Sequence, residues 1–244
     1  MKPVLALILI LILAAFVPLK LKMEAACDRI VPGALSIDLR EQIGQSAFIA
    51  VLGGFRSVMA DLLFIDAYSA WERTDWTYLL LRLRQATELQ PRAILFWEMA
   101  GWHMAWNAGT AAMEDDSKSP AARRRLQHDY LELGEDFLVR GIAYNPEKPQ
   151  LYEALARLYR DKFHDHVRAA ENFEKASRLP DHASYDERFS AYELSYCEGR
   201  EREAYDRLRT LYQRGEKERL PRLLNQLRAM EERLKIPANE RIIP

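Results

Sequence analysis

The sequence lacks the short motifs that mark common enzyme classes. It contains no glycine-rich phosphate loop, no G-x-S-x-G elbow and no H-E-x-x-H motif. Its two cysteines, Cys27 and Cys197, lie far apart and predict neither a disulfide framework nor a metal site. With a net charge of −1, no basic surface for nucleic acid is expected. These absences favour a protein that is not an enzyme and has no cofactor, metal or small-molecule substrate.

Length and composition predict a single helical domain behind an N-terminal segment. The chain has 244 residues, of which 49% are hydrophobic, enough to bury a sizeable core. We predict a transmembrane anchor at residues 1–23, a tether at 24–40, a helical domain at 41–236 and a tail at 237–244.

The N-terminal segment predicts a single membrane-spanning helix. Pro3 to Leu19 carries no charge, and lysines flank it at Lys2, Lys20 and Lys22. About 17 apolar residues is the short end of the length that crosses a bilayer, and flanking lysines can extend it. We therefore predict a retained anchor that holds the protein in the membrane.

Two alternatives to a retained anchor stay open. A cleaved signal peptide needs small residues before the cleavage site, but Glu24 is unfavourable for cleavage after Ala26. Lipidation at Cys27 is also disfavoured by Glu24, because an apolar residue is expected at that position. Arg29 favours a cytoplasmic position for the side that follows the anchor, whereas the very short N-terminal tail favours the opposite orientation. We expect the following domain to be extracytoplasmic.

The stretch from Leu151 to Pro180 predicts an antiparallel helix pair. Apolar residues recur at three- and four-residue steps in both halves, which gives each half one apolar face: Tyr152, Leu155, Ala156 and Tyr159, then Ala169, Phe173 and Ala176. A single hairpin cannot bury these faces alone, so it needs neighbours stacked on both sides.

This spacing resembles the tetratricopeptide repeat, a helix–turn–helix unit of 34 residues. A second match begins at Trp97, and its second helix has Gly134, Leu138 and Gly141 in the small-large-small positions. This unit exceeds the repeat length, so we predict an inserted loop near Asn107 to Arg125. The resemblance covers Ala60 to Leu211. It implies an all-α fold, an α-solenoid of helical hairpins.

Other segments predict helices of the same fold. Asp75 and Ser119 are expected to cap helices at their N-termini, and the segment Ala93–Asn107 is apolar on nearly every side, which predicts a buried helix. The expected helices lie near residues Glu41–Leu52, Phe55–Arg73, Trp76–Leu89, Ala93–Asn107, Pro120–Tyr144, Tyr185–Cys197, Arg202–Arg214 and Leu220–Leu234.

The resemblance also implies a partner-binding groove lined by the first helix of each repeat. The groove positions that carry aromatic or basic side chains are Phe64, Tyr68, Trp71, Trp102, Arg157 and Arg160. The other groove positions are Asp61, Leu95, Glu98, Ala105, Gln150 and Glu153. Aromatic residues and arginine often anchor interfaces, so we predict an aromatic stretch with a basic end that binds a helix or an extended peptide. Alternatively, the helix at 41–52 fills this groove.

Three other residue groups are weighed as sites. His164-Asp165-His166 suggests a metal site, but no third ligand is near and we expect a solvated turn. Arg123-Arg124-Arg125 suggests an anionic partner, but Glu114-Asp115-Asp116 precedes it and favours self-neutralisation.

An enzyme hypothesis would use Asp61, Asp66 or His103 in a helical pocket. Asp61 and Asp66 do not share a helix face and more often pair with arginine, here Arg56 or Arg84.

The favoured function is therefore a membrane-anchored scaffold or adaptor that binds another protein. The repeat spacing, the apolar segment at residues 3–19 and the missing catalytic motifs lead to this prediction. The alternative is a structural subunit or assembly factor of a larger cell-envelope complex.

Overall fold

The structure is a computed structural model, and it describes residues 55–242. These residues form helices and the turns between them, and this part of the chain contains no strand. The all-α prediction is confirmed for it. Nearly every predicted helix within this range is found, because each predicted stretch carries either an apolar face or a helix cap.

The helices follow one another closely along the chain. α3 and α5 each contain a π-helical stretch: α3 continues beyond its stretch without a break, whereas α5 ends with its own. The bounds are α1 Arg56–Glu72, α2 Trp76–Leu89, α3 Ile94–Trp102 with His103–Ala108 (π) and Gly109–Glu114, α4 Pro120–Tyr144, α5 Pro149–Leu158 with Tyr159–Phe163 (π), α6 His166–Ser177, α7 Asp186–Leu194, α8 Glu201–Gln213, α9 Pro221–Arg233 and a 3-10 turn at Ala238–Glu240.

Side-chain caps start three of these helices. Asp75 accepts a hydrogen bond from the backbone N–H of Tyr78 at 3.0 Å, and Ser119 accepts one from Ala122 at 3.3 Å. Both caps were predicted from the sequence. Each satisfies an N–H group that has no partner within the helix. The third cap is Asp165, at the start of α6.

Each helix packs chiefly against the next one along the chain. α1 pairs with α2, α3 with α4, α5 with α6, and α6 also packs closely against α7. One buried apolar cluster extends from α1 to the start of α6 and is centred on residues such as Trp97 and Leu138. A second cluster, which includes Tyr192 and Leu227, joins α6 to α9. Ile242 packs against this second cluster.

α3 and α4 approach each other closely through the small residues that the sequence had singled out. A Cβ at Gly134 would lie 2.8 Å from Cβ of Ala105, and one at Gly101 would lie 2.7 Å from Cγ of Leu138. Neighbouring Cβ atoms do not approach this closely, so the glycines allow the two backbones to meet. The predicted pairing of these helices is confirmed.

The predicted inserted loop from Asn107 to Arg125 is wrong. The residues up to Glu114 continue α3, and α4 already begins at Pro120. Ala108 and Ala112 are buried and extend the apolar face of α3, so the extra residues lengthen two packed helices and leave a short turn between them.

Several sequence predictions lie outside the described residues. These are the anchor at residues 3–19, the tether at 24–40 and the helix at 41–52. None of the helices within 55–242 combines the length and apolar character that a membrane span requires.

Candidate functional site

Aromatic side chains join the neighbouring helices α1 and α3. Phe64 stacks on Phe96 with ring centroids 4.6 Å apart. Further along the same helices, Trp71 lies 5.7 Å from His103, and Trp102 lies 5.0 Å from His103. Tyr68 contacts Trp71 at 5.1 Å. Phe64 and Trp71 therefore contact α3 directly, whereas the ring contacts of Tyr68 and Trp102 are made within their own helices.

Tryptophans line a cleft beside this contact, which we call the tryptophan cleft. It has a volume of about 390 Å³, and its lining residues are Trp71, Trp76, Trp102, Trp106, Asn107, Thr110, Ala111 and Glu114. The chain has 5 tryptophans, and the one that does not line the cleft is the buried Trp97. Sequence reasoning missed Trp76 and Trp106. The spacing of Trp106, one helical turn after Trp102, was the available signal.

The π-helical stretch of α3 forms part of the cleft wall. It spans His103–Ala108 and contains Trp106 and Asn107. Such stretches are rare and are frequently found at functional sites. The Asn107 amide donates a hydrogen bond to Nδ1 of His103 at 2.9 Å. Burial lowers the pKa of His103 to about 4, so its ring is neutral at neutral pH.

Part of the aromatic surface is exposed to solvent. Tyr68 is 54% exposed and Trp102 is 42% exposed, and Leu95 at the start of α3 is 54% exposed. The predicted buried helix at Ala93–Asn107 is confirmed for most of its positions, which are buried or half-buried, whereas Leu95 and Trp102 are exposed. Exposed apolar side chains also follow one face of α1: Phe55, Val58, Leu62 and Ile65.

The predicted basic end of the groove is not free. Arg157 pairs with Glu153 at 3.5 Å. Arg160 pairs with Asp161 at 2.6 Å, and its guanidinium also lies 5.9 Å from the ring centroid of Phe173. Both arginines are therefore neutralised by carboxylates of their own chain. The role of Arg157 and Arg160 as the basic end of a groove stays a prediction, and both pairs would have to exchange with a partner's groups for it to hold.

Carboxylates gather where α3, α5 and α7 meet, which the sequence did not indicate. The pKa of Glu98 is raised, chiefly by burial. The neighbouring Arg157 acts in the opposite direction, and the Glu153 carboxylate adds to the increase. Tyr185 donates a hydrogen bond to Glu153 at 2.6 Å. Asp186 is fully buried, and burial together with the neighbouring Glu153 carboxylate raises its pKa to about 6.

The predicted turn at residues 164–166 is confirmed. His164 has a left-handed backbone with φ of 53°, Asp165 caps α6, and Nδ1 of His166 lies 2.8 Å from Oε2 of Glu193. Within residues 55–242 there is no group of three side chains placed to hold a metal ion. Arg123 pairs with Asp116 at 2.8 Å, which confirms self-neutralisation of this residue.

The three residues of the enzyme hypothesis have separate structural settings. Asp61 is exposed on α1. Asp66 accepts a hydrogen bond from Tyr78 at 2.9 Å and pairs with Arg82 at 2.7 Å, a partner that sequence reasoning did not name. His103 is buried and bonded to Asn107.

The chain was compared with protein families and with curated proteins. No family model matches the chain, and no curated protein matches it.

Proposed function

We propose that this chain is a membrane-anchored helical-repeat scaffold that binds another protein through the exposed aromatic surface of α1 and α3. The observation that carries the proposal is the convergence of Tyr68, Trp71 and Trp102 on one partly exposed surface. Large exposed aromatic groups of this kind are typical anchors of protein interfaces.

The repeat part of the proposal draws on the relation between α1 and α3. Phe64 meets Phe96, and Trp71 meets His103. In both pairs the second residue follows the first by slightly less than one 34-residue repeat. A solenoid of tetratricopeptide-like hairpins would bring successive first helices side by side at an offset close to one repeat, so these two contacts support the proposal. The close pairing of α3 with α4 through Gly101 and Gly134 supports the same architecture.

The proposed partner presents an amphipathic helix or an extended peptide to this surface. Tyr68 and Trp102 offer rings at low conformational cost, and Leu95 adds aliphatic area beside them. The anchor proposed at residues 3–19 would confine the search for the partner to the membrane surface, on the extracytoplasmic side.

A second candidate function is a fixed subunit or assembly factor of a larger envelope complex. The observation that favours it is the run of exposed apolar side chains on α1, which includes Phe55, Leu62 and Ile65. Soluble monomers rarely leave such a face uncovered, and permanent interfaces are more apolar than transient ones.

The test is a cross-linking pull-down of the full-length chain from its native membrane. Three forms are compared: the parent, the Tyr68→Ala/Trp102→Ala variant, and a Val139→Ala/Leu220→Ala control. The control truncates exposed apolar residues elsewhere, on α4 and at the residue before α9. Circular dichroism checks that each form is folded.

A partner captured by the parent and the control but lost from the aromatic variant supports the scaffold. A partner held by all three in fixed stoichiometry favours the subunit function with another interface. Capture of nothing by any form overturns both.

A further inference from the structure

The charge lining the tryptophan cleft has one sign. Among its lining residues, Glu114 is the charged one, and the others are aromatic, apolar or neutral polar. Glu114 is exposed and makes no ion pair with any residue of the described part of the chain. The cleft therefore offers a free carboxylate beside tryptophan rings.

Tryptophan ring faces attract cations, because the π-electrons give each face a partial negative charge. Trp106 already shows this property, since Nζ of Lys162 lies 5.5 Å from its ring centroid. Lys162 is not among the residues that line the cleft. Lys162 therefore takes one contact with Trp106, whereas within residues 55–242 no lysine or arginine lies over the rings of Trp71, Trp76 or Trp102.

The histidine that contacts two of the cleft tryptophans adds no positive charge at neutral pH. His103 lies against Trp71 and Trp102, and its lowered pKa leaves the ring uncharged at neutral pH. Asn107 and Thr110 add neutral side chains that can accept hydrogen bonds from a guanidinium or ammonium group.

We propose that the tryptophan cleft binds a basic side chain of the partner protein, an arginine or a lysine, between its indole rings and the carboxylate of Glu114. This inference rests on the proposed function and specifies the chemistry of the partner. An arginine fits best, because its planar guanidinium can stack on an indole while donating hydrogen bonds at its edge. The neighbouring exposed Tyr68 and Leu95 then receive apolar residues that flank this arginine.

The experiment measures binding of a defined probe to the full-length chain in detergent. The probe is the peptide acetyl-Gly-Arg-Gly-amide, and its control is the same peptide with citrulline, which has nearly the same shape but no charge. Tryptophan fluorescence and calorimetry report binding. We expect the arginine peptide to bind roughly fivefold to tenfold more tightly than the citrulline peptide.

Two variants locate the effect. Glu114→Gln is expected to lower the affinity for the arginine peptide by roughly fivefold and to leave the affinity for the citrulline peptide unchanged. Glu216→Gln, an exposed residue of the turn between α8 and α9, is the matched charge control and should change neither. Trp106→Leu should lower the affinity for the arginine peptide, while the circular dichroism spectrum stays the same.

Equal affinity for the two peptides, an unchanged Glu114→Gln variant, or no binding of the arginine peptide to the parent chain would each overturn this inference. The proposed function has a separate readout, because the pull-down detects loss of the partner from the Tyr68→Ala/Trp102→Ala variant whatever chemistry holds it, whereas only the two peptides compare a charged with an uncharged side chain. If that variant loses the partner and both peptides bind equally well, the scaffold function is supported and the binding of a basic side chain is ruled out.

Discussion

Gly141 of α4 lies directly against the side chain of Trp97 of α3. A Cβ at position 141 would be 2.8 Å from both Cβ and Cγ of Trp97. Trp97 is almost fully buried, and its indole N–H donates to the carbonyl of Pro91 at 2.9 Å. The indole therefore has little freedom to move away, and the contact fixes the distance between these two helices.

Replacing Gly141 with alanine should destabilise the fold. We expect Gly141→Ala to lower the free energy of unfolding by about 1–3 kcal/mol, since the new methyl group overpacks the helix contact. Urea unfolding followed by circular dichroism measures the change. Gly109→Ala is the control. Its Cβ would meet nothing closer than 3.5 Å, and alanine should raise helix stability there by up to about 1 kcal/mol. A Gly141→Ala protein as stable as the parent would contradict the close packing.

The side chain of Asn145 ties the end of α4 to the turn before α3. It is buried, and its amide donates to the carbonyl of Pro91 at 2.8 Å and to that of Gly141 at 3.0 Å. Asn145→Ala should cost about 1–3 kcal/mol of unfolding free energy, because buried acceptors lose a partner. Asn225→Ala, an exposed change on α9, should have little effect in the same thermal and urea unfolding measurements. Equal stability of the two variants would show that the amide bonds add nothing.

Asp186 should reduce stability at neutral and alkaline pH. Its pKa is raised to about 6 in the folded protein, so the folded state holds this proton more strongly than the unfolded state. Stability should fall as the pH rises from about 4 to about 6. Oδ1 of Asp186 is buried without a hydrogen-bond partner, and Asp186→Asn would replace a charged oxygen with a neutral NH2 donor beside the Glu153 carboxylate. We expect this variant to be more stable than the parent by about 2 kcal/mol at pH 8 and by much less at pH 4.

The control for this prediction is Asp61→Asn, because Asp61 is exposed. Its unfolding free energy should follow the parent at every pH. A stability gain for Asp186→Asn that is the same at pH 4 and pH 8 would rule out titration as its cause.

The contribution of His103 to stability should have the opposite pH dependence. The pKa of this histidine is lowered to about 4, so the unfolded state binds the proton more readily, and stability should rise with pH between about 4 and 6.5. His103→Gln removes this contribution, which is about 2 kcal/mol across the interval. Unfolding free energies measured from pH 4 to pH 7 should then fall with pH in His103→Gln and rise with pH in Asp186→Asn. Parallel profiles for the two variants would contradict this assignment.

The sequence predicted much of the helical arrangement correctly. The caps at Asp75 and Ser119, the apolar faces of α5 and α6 and the glycines of α4 each have a signal within a few residues of the chain. The inserted loop was predicted wrongly because a surplus of residues over the repeat length does not say whether they form a loop or longer helices. Packing of Ala108 and Ala112 decided this.

For the candidate site, the aromatic positions on α1 and α3 could be predicted from the sequence, but their surroundings could not. Trp76 belongs to α2, and no local pattern relates it to Trp106. The charge of Arg157 and Arg160 was visible in the sequence, whereas their pairing with Glu153 and Asp161 depends on side-chain geometry.

By itself, therefore, the sequence determined where helices form and which face of each is apolar, because capping and the 3.6-residue period act over a few neighbouring residues. Only the tertiary structure decided which charges are neutralised, which tryptophans share a cleft and which groups titrate abnormally. Pairing, cleft formation and desolvation join residues that are distant in the chain. The shifted pKa values of His103 and Asp186 show this directly, because burial by several helices is the largest cause of both.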